Sequence, residues 1–181
     1  MRQALRPHPN TPGVAVERID VDIVRRSPRE LALTYIVTGA IGEIVLPSPA
    51  PPVRTDELWR RTCFEAFVRP GSGEGYLEFN FAPSGAWAAY RFDAYRAGMR
   101  VADEIAPPRI EATTTDRRFE LAMMVDVGEA ASWAVWRLGL SAVIEETSGV
   151  KSYWALAHPP GIPDFHHSRA FVLDVALPES P

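Results

Sequence analysis

Trp59–Phe92 reads WRRTCFEAFVRPGSGEGYLEFNFAPSGAWAAYRF. It divides into three strand-like runs, Thr62 to Val68, Tyr76 to Phe81 and Ala86 to Phe92. Two turn signals, Pro70-Gly71-Ser72-Gly73 and Pro83-Ser84-Gly85, separate them as hairpin connections do. Alternation sends Leu77, Phe79 and Phe81 to one side, and Tyr76, Glu78 and Asn80 to the other. Phe64, Ala66 and Val68 likewise oppose Cys63, Glu65 and Phe67. Polar groups inside runs that otherwise look like core must find partners or lose free energy, so their number asks for an explanation.

Period-two patterns continue on both sides. Val14 to Arg25 alternates with one change of phase before Ile19, Val21 and Ile23, and Leu31, Leu33, Tyr35 and Val37 repeat the pattern. Ile41 to Leu46 reads as a short third strand. The proline-rich PSPAPPVRTDELW that follows cannot form a central strand, and its Thr55–Leu58 end has the residues to cap one helical turn. Asp93 to Ala106 has a loosely helical spacing that Gly98 interrupts. Ile110 to Thr115 and Phe119 to Val127 form a hairpin around Asp116-Arg117. Leu138 to Glu145, Tyr153 to His158 and Ala170 to Val175 complete the strands, with PPGIPDFHH as a loop before the last. About ten short strands without strand–helix alternation predict one all-β domain over residues 1–181, an antiparallel β-sandwich of jelly-roll type.

The chain of 181 residues carries a net charge of −4 and only isolated arginine pairs, so it lacks the basic stripe a nucleic-acid partner needs. No segment is long and apolar enough for a membrane helix, and MRQALRPHPNTPG has no hydrophobic leader region, so the cytoplasm is the expected location. The single cysteine, Cys63, lies within an apolar run and reads as a buried thiol.

Neighbouring strands would bring Glu65, Glu78, Asn80, Arg91 and an aromatic, Trp87 or Tyr76, to one surface. Carboxylate and amide oxygens there can accept hydroxyl protons while a ring covers the C–H face of a sugar. The same glutamates could instead pair with Arg91 or Arg60 in a cross-strand ion network. Trp59, Lys151, Tyr153 and the loop from Asp164 through His166 to His167 are placed at the rim, with Trp154 and His158 nearby. His158, Asp164, His166 and His167 have the donors of a metal site but match no established spacing, and no metal or cofactor is expected. Glu78 with Glu145-Glu146 could supply the carboxyl pair of a glycosidase, although the chain has no GxSxG, P-loop, GxGxxG or HExxH motif.

TCFEAFV, GYLEFNFAPSGAWAAYRFDAYRAGM and YWALAHPPGIPDFHH together resemble the DOMON-like domains related to carbohydrate-binding module family 9. The resemblance implies a jelly-roll sandwich that binds sugars in some members and haem in others. In sugar-binding members tryptophans hold the ligand, which points to Trp59, Trp87 and Trp154. In haem-binding members methionine and histidine are axial ligands, which points to Met99 with His158 or His166. The expected function is a non-catalytic module for a carbohydrate or similar polyhydroxylated ligand. The alternatives are a small lyase or metal-dependent hydrolase using the His158–His167 segment, a haem-binding domain, and a protein-interaction scaffold.

Overall fold

In the computed structural model, which describes residues 1–177, twelve strands run in chain order: β1 (Arg2–Pro7), β2 (Val16–Arg25), β3 (Glu30–Gly39), β4 (Cys63–Pro70), β5 (Tyr76–Phe81), β6 (Trp87–Phe92), β7 (Arg100–Val101), β8 (Arg109–Thr114), β9 (Arg118–Asp126), β10 (Val135–Glu145), β11 (Lys151–Ala155) and β12 (Leu173–Ala176). All the strand pairs are antiparallel. One sheet has the order β1-β2-β3-β9-β8, and the other β11-β10-β4-β5-β6-β7, with β12 beside the far end of β10. β1 belongs to both: Arg2–Leu5 pair with β2, and Arg6 and Pro7 pair with β11. The result is a single curled sheet folded into a β-sandwich, as the alternation predicts.

The two sheets face each other across one apolar core. Ile19, Val21, Leu33, Tyr35, Leu121 and Met123 from the first sheet meet Phe64, Ala66, Leu77, Phe79, Leu140 and Ala142 from the second. The phase change in β2 is a register shift between Val16 and Arg18, opposite Gly39. There the backbone approaches so closely that a Cβ on Gly39, which has φ +154°, would lie 2.1 Å from the Ala15 carbonyl oxygen.

The outer faces differ. That of the first sheet is solvated and carries ion pairs such as Arg2–Asp22 and Arg18–Asp20. The second sheet is buried on both sides, and all six residues of β5 are inaccessible. The segments around residues 54–62, 93–99 and 158–171 roof its outer face. Beneath them a smaller apolar cluster forms from Phe67, Tyr76, Ala88, Tyr90, Phe92 and Phe171, with Leu58 and Phe165 packed against it.

Several expectations change. β1 is an additional strand, because RQALRP has no alternating apolar face and pairs through its backbone. Ile41 to Leu46 contributes only a 3-10 turn over Ile41–Glu43 and one bridge from Ile44 to Glu146. The helical turn near Thr55 falls at Leu58–Arg60 and follows Glu57 at φ 61°. Asp93 to Ala106 holds no helix. Its backbone bonds to the edge of β6 instead, as when the Ala102 N–H donates to the Ala89 carbonyl.

Candidate functional site

The roofed face of the second sheet holds a cleft of about 360 Å³. Its floor is built by strand register. Glu65 on β4 stands opposite Asn80 on β5, and Glu78 lies two residues along β5, diagonal to Glu65 on the same face. Ser141 on β10 stands opposite Glu65 from the other side. Glu65 and Glu78 are 3% and 4% exposed, so both carboxyls are taken out of bulk water at the bottom of an open cleft.

Among the described residues each carboxyl has one hydrogen-bond donor. The Ser141 hydroxyl donates to Glu65 Oε2 at 3.1 Å, and the Asn80 amide donates to Glu78 Oε1 at 2.7 Å. No described arginine or lysine contacts either carboxyl. Burial pushes Glu65 up to about 8, helped by the charge of Glu78, while Ser141 and the more distant Arg96 pull it down. Burial likewise raises Glu78 to about 7, against the Asn80 hydrogen bond and Arg96. Near neutral pH the pair therefore retains protons that exposed glutamates would have lost.

His166 descends from the roof. The Arg96 backbone N–H donates to the Tyr76 hydroxyl at 3.3 Å, and that hydroxyl lies 2.8 Å from His166 Nδ1. Among the described residues the Tyr76 hydroxyl has no other acceptor for its proton, and a phenol that donates to Nδ1 leaves the proton of the neutral ring on Nε2. Nε2 is 3.7 Å from Glu78 Oε2. That separation suits an ion pair, but burial, with Arg96 adding to it, lowers His166 to about 4. The contact at neutral pH is therefore between an uncharged imidazole and the carboxyl.

Trp59, Phe92, Tyr153 and Phe165 supply aromatic walls, with Met99, Val143 and Pro163 between them. Trp59 is 37% exposed and packs edge-on against Tyr90. Arg96 closes the remaining side. Its backbone takes φ 51°, and its guanidinium pairs with Asp164 at 2.9 Å. Burial opposes ionisation of Asp164, yet the Tyr95 hydroxyl and Arg96 hold it below the usual aspartate range.

Of the residues singled out from the sequence, Glu65, Glu78, Trp59, Tyr153 and His166 line the cleft. Asn80 is fully buried behind Glu78 and orients it, and Asp164 orients Arg96. Lys151 donates to the Arg60 carbonyl at the margin.

Four placements are corrected. Trp87 and Arg91 pair in register with Phe81 and Leu77, and cross-strand partners share a face, so both lie on the core side of β6. Trp87 is buried under the Arg54 guanidinium, 4.2 Å from its ring, and Arg91 pairs with Glu104. Trp154, opposite Ala142, also points into the core, where its indole N–H donates to Ser152. His158 stands outside the cleft lining, with Nε2 2.8 Å from the Arg6 carbonyl oxygen and its ring against His8. It therefore does not face Met99 as a haem ligand pair would require.

Among the described residues no three His, Cys, Asp or Glu side chains gather as a metal-ligand set. Glu145 pairs with Arg61, and Glu146 accepts the Val14 and Ala15 backbone N–H groups, so neither joins Glu78 in the cleft. The structure adds Arg96, Phe92 and Phe165 to the site. The phase of β6 could have revealed Phe92, whereas Arg96 and Phe165 reach the cleft through loop geometry that has no periodic signal.

No protein-family model matches this chain, and no curated protein matches it by sequence. Solved structures resemble it in fold. A candidate carbohydrate-binding protein of Bacteroides uniformis shares 16% identity at a TM-score of 0.65, over 94% of this chain and 84% of the other. A carbohydrate binding module of family 9 from Caldicellulosiruptor kristjanssonii, in complex with glucose, shares 8% identity at a TM-score of 0.54, over 98% and 86%. At such identities the likeness is one of architecture, the β-sandwich of these modules.

Proposed function

We propose that the chain is a non-catalytic binding module whose cleft takes a small polyhydroxylated ligand, a carbohydrate or a close chemical relative. The observation that carries this reading is the cleft itself: two buried carboxyls on its floor, each with an oxygen that receives no donor from the described residues, beneath four aromatic rings. Its volume, about 360 Å³, falls in the range of roughly 300–1,000 Å³ typical of small-molecule sites. Sugar hydroxyls would donate to Glu65 and Glu78, Arg96 and the His166 Nε2–H would donate to ring or hydroxyl oxygens, and Tyr153 or Trp59 would cover an apolar sugar face. The glucose complex of the family 9 module of like fold supports the choice of ligand class. Membership of the DOMON-like group is part of the same proposal and rests on the sequence motifs.

The test is a titration with neutral mono- and disaccharides, followed by the emission of half-exposed Trp59 and by saturation-transfer NMR. Saturable binding is expected, weakened about tenfold or more in Glu78→Gln at pH 8, where Glu78 has largely lost its proton, since a hydrogen bond to a charged group is worth roughly 1.5–3 kcal/mol. Absence of binding by every sugar, or affinity indifferent to Glu78→Gln and Tyr153→Ala alike, removes the proposal.

One contact favours a second, catalytic reading. His166 stands beside Glu78 in the cleft, and the two differ in proton affinity as an acid and a base do. Product formation from a bound sugar, seen by NMR and lost in both Glu78→Gln and His166→Asn, would establish it. Ligands recovered unchanged after prolonged incubation would exclude it for those sugars.

A further inference from the structure

The cleft gathers two acids with no base to match them. Among the described residues Arg96 is its one cationic lining residue, and its guanidinium is already held by Asp164. His166 is neutral, its Nδ1 engaged by Tyr76. Of the other groups on this face, Cys63 on β4, Asn80 on β5, Ser141 on β10 and Tyr153 on β11 are uncharged, and Arg69, further along β4, lies over the Phe171 ring, 5.4 Å from its centre, outside the cleft lining. Lys151 turns to the Arg60 carbonyl, and Arg61 pairs with Glu145. Glu65 and Glu78 are thus two carboxyls on one floor, more than nine-tenths buried, with aromatic rings around them and no cation of their own among the described residues.

We propose that the ligand carries a protonated amine, as an amino sugar does, whose ammonium sits between Glu65 and Glu78. Three features of the geometry meet the needs of an ammonium. The carboxyls offer two oxygens from adjacent strands that receive no hydrogen bond from the described residues, Glu65 Oε1 and Glu78 Oε2, the latter 3.7 Å from His166 Nε2. Charge-assisted hydrogen bonds to them are stronger than those of a neutral hydroxyl. Trp59, Phe92, Tyr153 and Phe165 present rings of the kind that stabilise cations in desolvated sites. Removing a positive ligand leaves two like charges close together, a condition the free protein relieves by holding protons there. The hydroxyls of the ligand would then face Arg96 and the His166 Nε2–H.

This inference rests on the cleft being the ligand site, and the experiment separates the two claims. D-glucosamine, D-glucose, N-acetyl-D-glucosamine and putrescine are titrated calorimetrically into the full chain at pH 6.5, in phosphate so that no buffer amine competes. The expected result is that glucosamine binds about tenfold or more tighter than glucose and N-acetylglucosamine, and that Glu78→Gln removes most of this preference. Equal affinity for glucosamine and glucose overturns the amine while keeping the sugar reading. Binding of putrescine without any of the sugars keeps the amine and overturns the sugar reading. No heat from any of the four overturns both. The comparison among ligands uses the unaltered protein, so it stands even where the variant folds poorly.

Discussion

Glu65→Gln with Glu78→Gln, made together, should stabilise the protein above neutral pH while emptying the cleft of its charge. Both carboxyls lie above the ordinary glutamate value of 4.5, at about 8 and about 7. The folded protein therefore holds protons that the unfolded chain has released, and its stability falls as pH rises through those values. His166 acts in the opposite sense. Its lowered value, about 4 against 6.5, makes stability rise with pH below 6.5, and His158 is displaced the same way. The clean window is therefore pH 6.5 to 8, since above it the Cys63 thiol, also pushed up by burial, adds a change of its own.

One proton held by the folded state and released by the unfolded chain costs about 1.4 kcal/mol of stability for every tenfold fall in proton concentration. Over this window Glu78 stops contributing near 7 and Glu65 near 8, so the wild type should lose roughly 2–3 kcal/mol. For a chain of this size that is a fall of roughly 4–12 °C in Tm. Glutamine keeps the acceptors for Ser141 and Asn80 and turns its amide toward the open cleft, so neither donor is orphaned. Urea unfolding at half-unit steps of pH should show a declining wild type and a nearly flat double variant that is the more stable of the two at pH 8. A variant that retains the wild-type slope would show that the buried pair is not its source, and the electrostatic account of the cleft would fail with it.

Other expectations separate the cleft from the scaffold. Trp59→Ala should weaken sugar binding with little loss of stability, whereas Trp87→Ala, emptying a core position, should cost roughly 3–5 kcal/mol in urea unfolding. Equal effects of the two on stability would contradict their placement. Gly39→Ala forces a Cβ against the Ala15 carbonyl and should destabilise by more than about 1 kcal/mol; an unchanged midpoint would refute the close approach. Arg25 donates to the carbonyls of Trp133, Ala134 and Val175 and lies 3.6 Å over the Trp136 ring. Arg25→Met keeps much of the stacking but orphans those acceptors, so a loss of roughly 2–4 kcal/mol is expected by the same assay.

Much of this molecule is legible in one dimension. Alternation in β3 and β9, and in β2 beyond its one change of phase, together with the turns inside 59–92, identifies strands and their apolar faces because side-chain direction in a strand has period two. The elements that escape such a reading have no such period. β1 joins both sheets through backbone pairing, which leaves no mark on side-chain pattern, and the 93–106 segment, loosely helical in its spacing, is tied to a sheet edge by main-chain bonds.

The candidate site is half readable, and the division has a definite cause. Glu65, Glu78 and Asn80 declare themselves as polar groups within buried runs, and adjacency of β4 and β5 puts them on one face. Assigning Trp87 and Arg91 to that face is an error of one residue of phase. The Ala82–Ala86 turn sets that phase, placing Trp87 opposite Phe81, and a slip of one position exchanges the two faces of a strand.

By itself, then, the stretch from Trp59 to Phe92 determined that a sheet would carry two carboxyls on the face opposite its apolar one, and not whether that face is buried. Only the tertiary structure decided that loops distant in sequence roof that face, that Arg96, His166 and Phe165 complete it, and that the two glutamates share one cleft with no cation among the described residues to neutralise them. Periodicity is a property of neighbours along the chain. A charge balance is a property of neighbours in space, and it exists only once the chain has folded.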